Sequence, residues 1–142
     1  MCIRDSGKAG LMLTNVEYIK KSEHKNFVLV DAAMNDLMRP SLYNAFHEVI
    51  NLSNAQDSND IFDIVGPICE TGDFLARDRN IKANQGDILA IMDAGAYGFS
   101  MSSNYNSRPR IPEVMVDQDE FYLIRERENF SDLISHEEKF LK

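Results

Sequence analysis

No stretch of these 142 residues stays apolar for anything near the roughly 20 residues that a membrane-spanning helix needs. The first ten residues are polar and mixed, and carry no apolar core of the kind a secretory signal has. Cysteine is scarce. Cys2 and Cys69 make no disulfide framework, and with seven methionines they fit a reducing, cytoplasmic setting. His24, His47 and His136 are far apart and share no zinc-like spacing with each other or with the cysteines, so no metal is expected. Positive charge is in the minority: 15 Lys and Arg stand against 23 Asp and Glu, a net charge of -8. That balance argues against nucleic acid and against an anionic membrane as partners. Internal repeats and low-complexity segments are missing too. What remains, 44% hydrophobic and 27% charged residues, is the composition of an ordinary soluble globular protein, long enough for a core.

The chain opens on MCIRDS, which is polar and patternless, and passes at once into GKAGLMLTNVEYIK, which reads as the middle of a domain. Residues 1–6 therefore read as a non-native leader on a truncated chain, and 7–142 as the domain proper. Leu11–Lys20 reads as a strand, with Leu11 and Leu13, then Val16 and Tyr18, as its alternating apolar positions. A polar loop, Lys20–Asn26, leads to a second strand, Phe27–Ala33, paired antiparallel with the first. Asn35-Asp36 signals a turn, and Pro40 suits the first turn of a short helix. In that helix Leu42, Phe46 and Val49 form an apolar stripe, with Tyr43 and His47 one turn apart on a neighbouring face. Asn51–Asp60 is a polar loop. Ile61–Pro67, Phe74–Arg79 and Ile88–Met92 read as strands, with a tight turn at Gln85-Gly86-Asp87. Phe99–Asn106 is a short helix or an irregular turn. Glu113–Val116 and Glu120–Arg125 form a hairpin across Asp117–Asp119, with Val114, Val116, Phe121 and Leu123 apolar. Asn129–Leu141 is a short amphipathic helix, N-capped by Ser131 and carrying Leu133, Ile134 and Phe140. Seven or eight short strands with two or three short helices make a mostly β fold, a sandwich or a barrel with helical decoration.

Two stretches stand out against that background. In VGPICETGD, residues 65–73, a buried strand runs into Cys69, Glu70 and a glycine turn. Neighbouring strand residues point to opposite faces, so Cys69 and Glu70 serve one site only where the strand already bends, which Gly66, Pro67 and Gly72 permit. The alternative is that Cys69 is a small buried hydrophobe. In DAGAYG, residues 93–98, Gly95 and Gly98 bracket Tyr97, as though leaving clearance for a bound group. A plain loop tyrosine is the competing reading. For Arg39 and Tyr43 the competing reading is a solvated cap and a half-buried core edge.

Taken together, RPSLYNAFHEV at 39–49, VGPICETGD at 65–73 and DAGAYGFSMSSNYNSRPRIPEV at 93–114 resemble the C-terminal portion of the diaminopimelate decarboxylase family. These are pyridoxal-phosphate-dependent decarboxylases of fold type III. The resemblance runs from about Gly7 to the end, with motif order and spacing in agreement. Thr71 stands where serine is also familiar in the family. The resemblance implies a C-terminal β-domain, sandwich or Greek-key and barrel-like, whose N-terminal (β/α)8 barrel is missing. The cofactor lysine, the glycine-rich phosphate loop and an arginine in an EPGR-like segment belong to that missing part. It further implies that Arg39 and Tyr43 hold the distal carboxylate of meso-diaminopimelate, and that Glu70 accepts its distal ammonium. By the same resemblance Cys69 would reprotonate the substrate carbon, and Tyr97 would lie at cofactor and substrate. Cys69 and Glu70 would serve the partner subunit's site, so a homodimer is implied.

Two other function classes compete. An ornithine-, arginine- or carboxylated-polyamine-type decarboxylase shares the fold, but the diamine-type substrates lack the distal carboxylate that Arg39 would bind. A non-catalytic regulatory relative would have no use for a proton donor at Cys69.

Overall fold

The computed structural model describes residues 6–53 and 60–137. Most of the leader, the centre of the loop after Asn51, and the end of the C-terminal segment, with Phe140 and Leu141, lie outside the described residues. The chain forms two compact units, Met1–Ser102 and Ser103–Lys142.

The first unit is built on a six-stranded sheet. Its strands are β1 (Met12–Lys20), β2 (Asn26–Val30), β3 (Val49–Asn51), β4 (Ile61–Val65), β5 (Phe74–Asn80) and β6 (Ile88–Ile91). Their order is β3-β6-β1-β2-β4-β5, with β2 and β4 parallel and every other pair antiparallel. β1 and β2 pair as the sequence predicts. The two edges approach each other: Asn51 at the end of β3 donates to the Lys82 carbonyl just past β5 at 2.8 Å, and Arg79 on β5 donates to the His47 carbonyl at 3.2 Å. The sheet is thus a nearly closed, barrel-like one. Val28, Val30, Ile64, Leu75, Leu89 and Ile91 are buried on its strands. Each contributes roughly 1.5–3 kcal/mol relative to an exposed side chain.

The phase of β1 differs from the sequence reading. Met12, Thr14 and Val16 face inward, whereas Leu11, Leu13 and Tyr18 are exposed. Both Met12 and Leu13 are apolar, so alternation alone does not set the phase. Pairing with β6 sets it (Met12 opposite Ile91), and a bulge between Val16 and Tyr18 breaks the alternation beyond. Asp31, just past β2, accepts hydrogen bonds from Thr14 and Asn15. Burial pushes its carboxyl up, but those bonds outweigh it and leave the group below its ordinary value.

The helix predicted to run through His47 is shorter. α1 spans only Arg39–Tyr43, with Pro40 in its first turn as expected. Asn44 adopts the left-handed conformation (φ 51°), which ends the helix, as asparagine after a helix commonly does. The stripe of Leu42, Phe46 and Val49 therefore does not form: Leu42 and Phe46 are exposed, and Val49 begins β3. His47 is buried beyond the helix, with Nδ1 at 2.8 Å from the Met92 carbonyl. Phe46 covers Arg79, whose guanidinium carbon lies 4.1 Å from the ring centre. Burial lowers the Arg79 guanidinium from its ordinary value, against the pull of Asp78 and Asp63.

The second unit contains a hairpin of β7 (Glu113–Asp117) and β8 (Glu120–Arg125), turning at Gln118 and Asp119. Val114 pairs with Leu123 and Val116 with Phe121, so the four predicted apolar positions share a face. α2 covers Phe130–Ile134. Its N-cap is Asn129, not Ser131: the Asn129 side chain accepts from Ser131 and Asp132, and Asp132 answers to the Asn129 N–H. This capping box begins two residues earlier than predicted because asparagine caps as well as serine. Glu128 accepts from Arg110 Nε at 2.6 Å, from the Arg110 N–H at 2.8 Å and from Asn104. The hydrogen bond from the Arg110 side chain, foremost, lowers its carboxyl to about 2.

Among the described residues no helix is long and apolar enough to cross a membrane, and no group of three His, Cys, Asp or Glu side chains could hold a metal ion.

Candidate active site

Three segments of the first unit carry the predicted site residues. The first is the turn at 33–36 and the helix that follows it. Asp36 donates its N–H to the Ala33 carbonyl at 2.9 Å, and its carboxylate accepts the Ala33 N–H at 2.9 Å. This double tie confirms the predicted Asn35-Asp36 turn and launches α1 with Arg39 at its start. Arg39 is half-buried, and its Nε is fully buried without a hydrogen-bond partner. A buried guanidinium nitrogen left unpaired is costly unless a ligand completes it. Arg39 is therefore no plain solvated cap. Tyr43, at the far end of α1, is 61% exposed and is not a core-edge residue.

The second segment is the connection from β4 to β5. β4 ends at Val65, and residues 66–73 form the hairpin loop that returns the chain at Phe74. Cys69 is an exposed free thiol, which overturns the reading of it as a buried hydrophobe. Glu70 is exposed beside it, and its Oε1 accepts the Gly72 N–H at 3.2 Å. The strand has already ended here, so both side chains escape the opposite-face rule. The loop is held by Asp73, 4% exposed, whose Oδ1 accepts the Met34 N–H and whose Oδ2 accepts the Ile68 N–H, each at 2.7 Å. The Ser41 hydroxyl donates to the Gly72 carbonyl and lies 3.3 Å from the Phe74 carbonyl. Sequence reading assigned no role to either residue. The available signal was an aspartate directly before an apolar strand, opposite a glycine that ends the preceding one.

The third segment is the turn after β6. Tyr97 has a positive φ of 58° and is 45% exposed. Its ring centre lies 5.9 Å from the guanidinium carbon of Arg39. The flanking glycines have another task than clearance for a ligand. A Cβ on Gly95 would collide with the Ser6 carbonyl and come within 2.8 Å of the Gly10 nitrogen, and one on Gly98 would collide with the Ala94 carbonyl. They permit close backbone packing, and the strained conformation falls on the tyrosine itself.

Arg39 and Tyr97 thus stand together, and Ser41 joins the helix of Arg39 and Tyr43 to the loop of Cys69 and Glu70. A guanidinium fork beside a phenol suits anionic oxygens. An exposed thiol and carboxylate on the adjoining loop add a proton donor and a cation acceptor.

The pyridoxal-dependent decarboxylase C-terminal sheet domain matches residues 8–95. The chain belongs to this family. It is 53% identical over 128 residues to the diaminopimelate decarboxylase of Vibrio cholerae, covering 90% of this chain and 31% of that protein. The diaminopimelate decarboxylase of Neisseria meningitidis is 54% identical over 131 residues, 92% of this chain and 32% of that protein. Among solved structures, the diaminopimelate decarboxylase of Helicobacter pylori complexed with L-lysine superposes with a TM-score of 0.87 at 42% identity, covering 95% of this chain and 33% of that one. The chain spans about a third of the length of these relatives. As a sheet domain of pyridoxal-dependent decarboxylases, the first unit has the mostly β, barrel-like architecture the sequence predicts.

Proposed function

We propose that this chain is the C-terminal part of a diaminopimelate decarboxylase, which converts meso-2,6-diaminopimelate to L-lysine and CO₂ in lysine biosynthesis. The observation that carries the reading is Arg39, whose buried, unpartnered Nε stands beside the exposed Tyr97 ring. Relatives more than half identical bear that enzyme's name. The cofactor is pyridoxal phosphate. The resemblance assigns its phosphate to a glycine-rich loop of the N-terminal barrel; of the described residues, the exposed Tyr97 phenol would border the cofactor. When bound, it stores the electron pair left behind by the departing carboxylate.

Each residue then has a task that its chemistry suits. Arg39 and Tyr43 grip the distal carboxylate, by a charge-assisted fork and a phenolic hydrogen bond. Glu70 receives the distal ammonium, so the far amino-acid end of the substrate is read by one cation and one anion. A diamine precursor would leave the cation unused. Tyr97 borders cofactor and substrate. The Cys69 thiol donates its proton to the carbon that has lost CO₂, and as an exposed group it regains one from solvent. The enzyme is a cytoplasmic homodimer in which Cys69 and Glu70 complete the partner subunit's site. The 142-residue chain alone is inactive.

The test is complementation. The full-length gene is introduced into a bacterium that requires lysine because it lacks this decarboxylase. Growth without lysine is the expected result. Failure to grow, with the protein expressed and soluble, would contradict the proposal.

A further inference from the structure

The loop at 66–73 must present two polar side chains to solvent while keeping them in place. It has little apolar anchorage, since Ile68 is its one buried hydrophobic residue. The Asp73 carboxylate supplies the anchorage instead. One oxygen holds Ile68, the residue before Cys69, and the other holds Met34, in the turn that leads to Arg39. The backbone closes the same loop around it, with the Gly66 N–H donating to the Asp73 carbonyl at 3.2 Å and the Asp73 N–H to the Glu70 carbonyl at 3.0 Å. Gly66 lies against the carboxylate. A Cβ there would come within 2.5 Å of Oδ2 and 2.7 Å of Oδ1.

We infer that Asp73 is a positioning residue for the decarboxylation, clasping the Cys69–Glu70 loop to the Arg39 segment through the two oxygens of one buried carboxylate. The inference rests on the function proposed above. The chemistry requires a carboxylate and not merely its shape. Asparagine has the same size but offers one acceptor oxygen, and its NH₂ would face an N–H. One of the two ties would be lost, and the loop would be released from the helix side or from its own strand end. Ser41 belongs to the same clasp, tying α1 to the loop at Gly72.

The experiment uses the full-length, cofactor-loaded enzyme carrying Asp73→Asn, and separately Ser41→Ala. It reads kcat and KM on meso-diaminopimelate, and the rate at which iodoacetamide alkylates Cys69, followed on the Cys69 peptide by mass spectrometry so that other cysteines do not interfere. Displacing a reacting group by about 1 Å costs about 100-fold in rate. Asp73→Asn is expected to lower kcat by about that factor, to change KM far less, and to alter Cys69 alkylation several-fold at fixed pH. Ser41→Ala is expected to shift both readings in the same direction and more weakly. A folded Asp73→Asn enzyme that melts at lower temperature but keeps parental kcat and parental alkylation would overturn the inference. If Asp73→Asn does not fold, parental values for Ser41→Ala would overturn it. If the parent enzyme itself releases no CO₂, the functional reading falls on its own. The alkylation comparison still decides the role of Asp73, and an unchanged rate rejects it.

Discussion

Cys69 and Arg39 make opposite demands on the protein. In the role proposed for it Cys69 must be reachable, and it sits exposed on a hairpin loop. Arg39 must be held still, and its Nε is buried in the first turn of a helix. Their substitutions should separate in kinetics. Cys69→Ala in the full-length enzyme is expected to lower kcat far more than it weakens substrate binding, as loss of a group acting in the transition state does. Steady-state kinetics on meso-diaminopimelate would show it, and an unchanged kcat would reject the role. Arg39→Ala is expected to weaken binding of the diacid by about 1.5–3 kcal/mol, the worth of a hydrogen bond to a charged group. L-lysine keeps the distal carboxylate as its own, so titration with L-lysine reads this grip as directly as titration with the substrate. Equal affinity in variant and parent would reject it. At this scale the sequence was legible where a residue type is rare in its setting. Cys69-Glu70 after an apolar run is such a case. It was misleading where a residue is common in two settings. Gly95 and Gly98 looked like room for a ligand and instead admit backbone against backbone. Asp73 was invisible because an aspartate beside a turn is ordinary, and only burial between two N–H donors makes it notable.

Among the elements, the longer strands are legible in the sequence, whereas β3, read as helix and loop, and the helix ends are not. Ile61–Val65 and Ile88–Ile91 are short apolar runs closed by turn residues, and they form central strands. The helix after Pro40 was overextended because Leu42, Phe46 and Val49 keep helical spacing, while one left-handed asparagine between them stops the helix. The phase of β1 was equally hidden, since pairing with β6 and not local alternation decides which side faces in. The second unit carries a prediction of its own. The Glu128 carboxyl, ordinarily near 4.5, is lowered to about 2, chiefly by its hydrogen bond with the Arg110 side chain. A depressed carboxyl stabilises the folded state above its unfolded pKa, and that contribution fades as pH falls from there through the folded value. The melting-temperature difference between parent and Glu128→Gln should therefore be full at neutral pH and shrink between about pH 4.5 and about pH 2. A difference that stays constant across that window would contradict the assignment.

For the whole molecule, the mostly β, barrel-like class was legible from the number and spacing of the short strands. The near closure of the sheet was not. It depends on Asn51 and Arg79 reaching across from opposite edges, residues that look like loop and strand-end polar groups in sequence. The chain spans about a third of its relatives, and its candidate site carries a guanidinium, a thiol and a phenol. The central claim is that the complete enzyme acts on a substrate bearing a second amino-acid centre. The most direct measurement is CO₂ release by the full-length enzyme with pyridoxal phosphate, on meso-diaminopimelate beside ornithine and arginine. The account predicts release from meso-diaminopimelate and none above background from the other two. Release from ornithine or arginine in its place would contradict the roles given to Arg39 and Glu70.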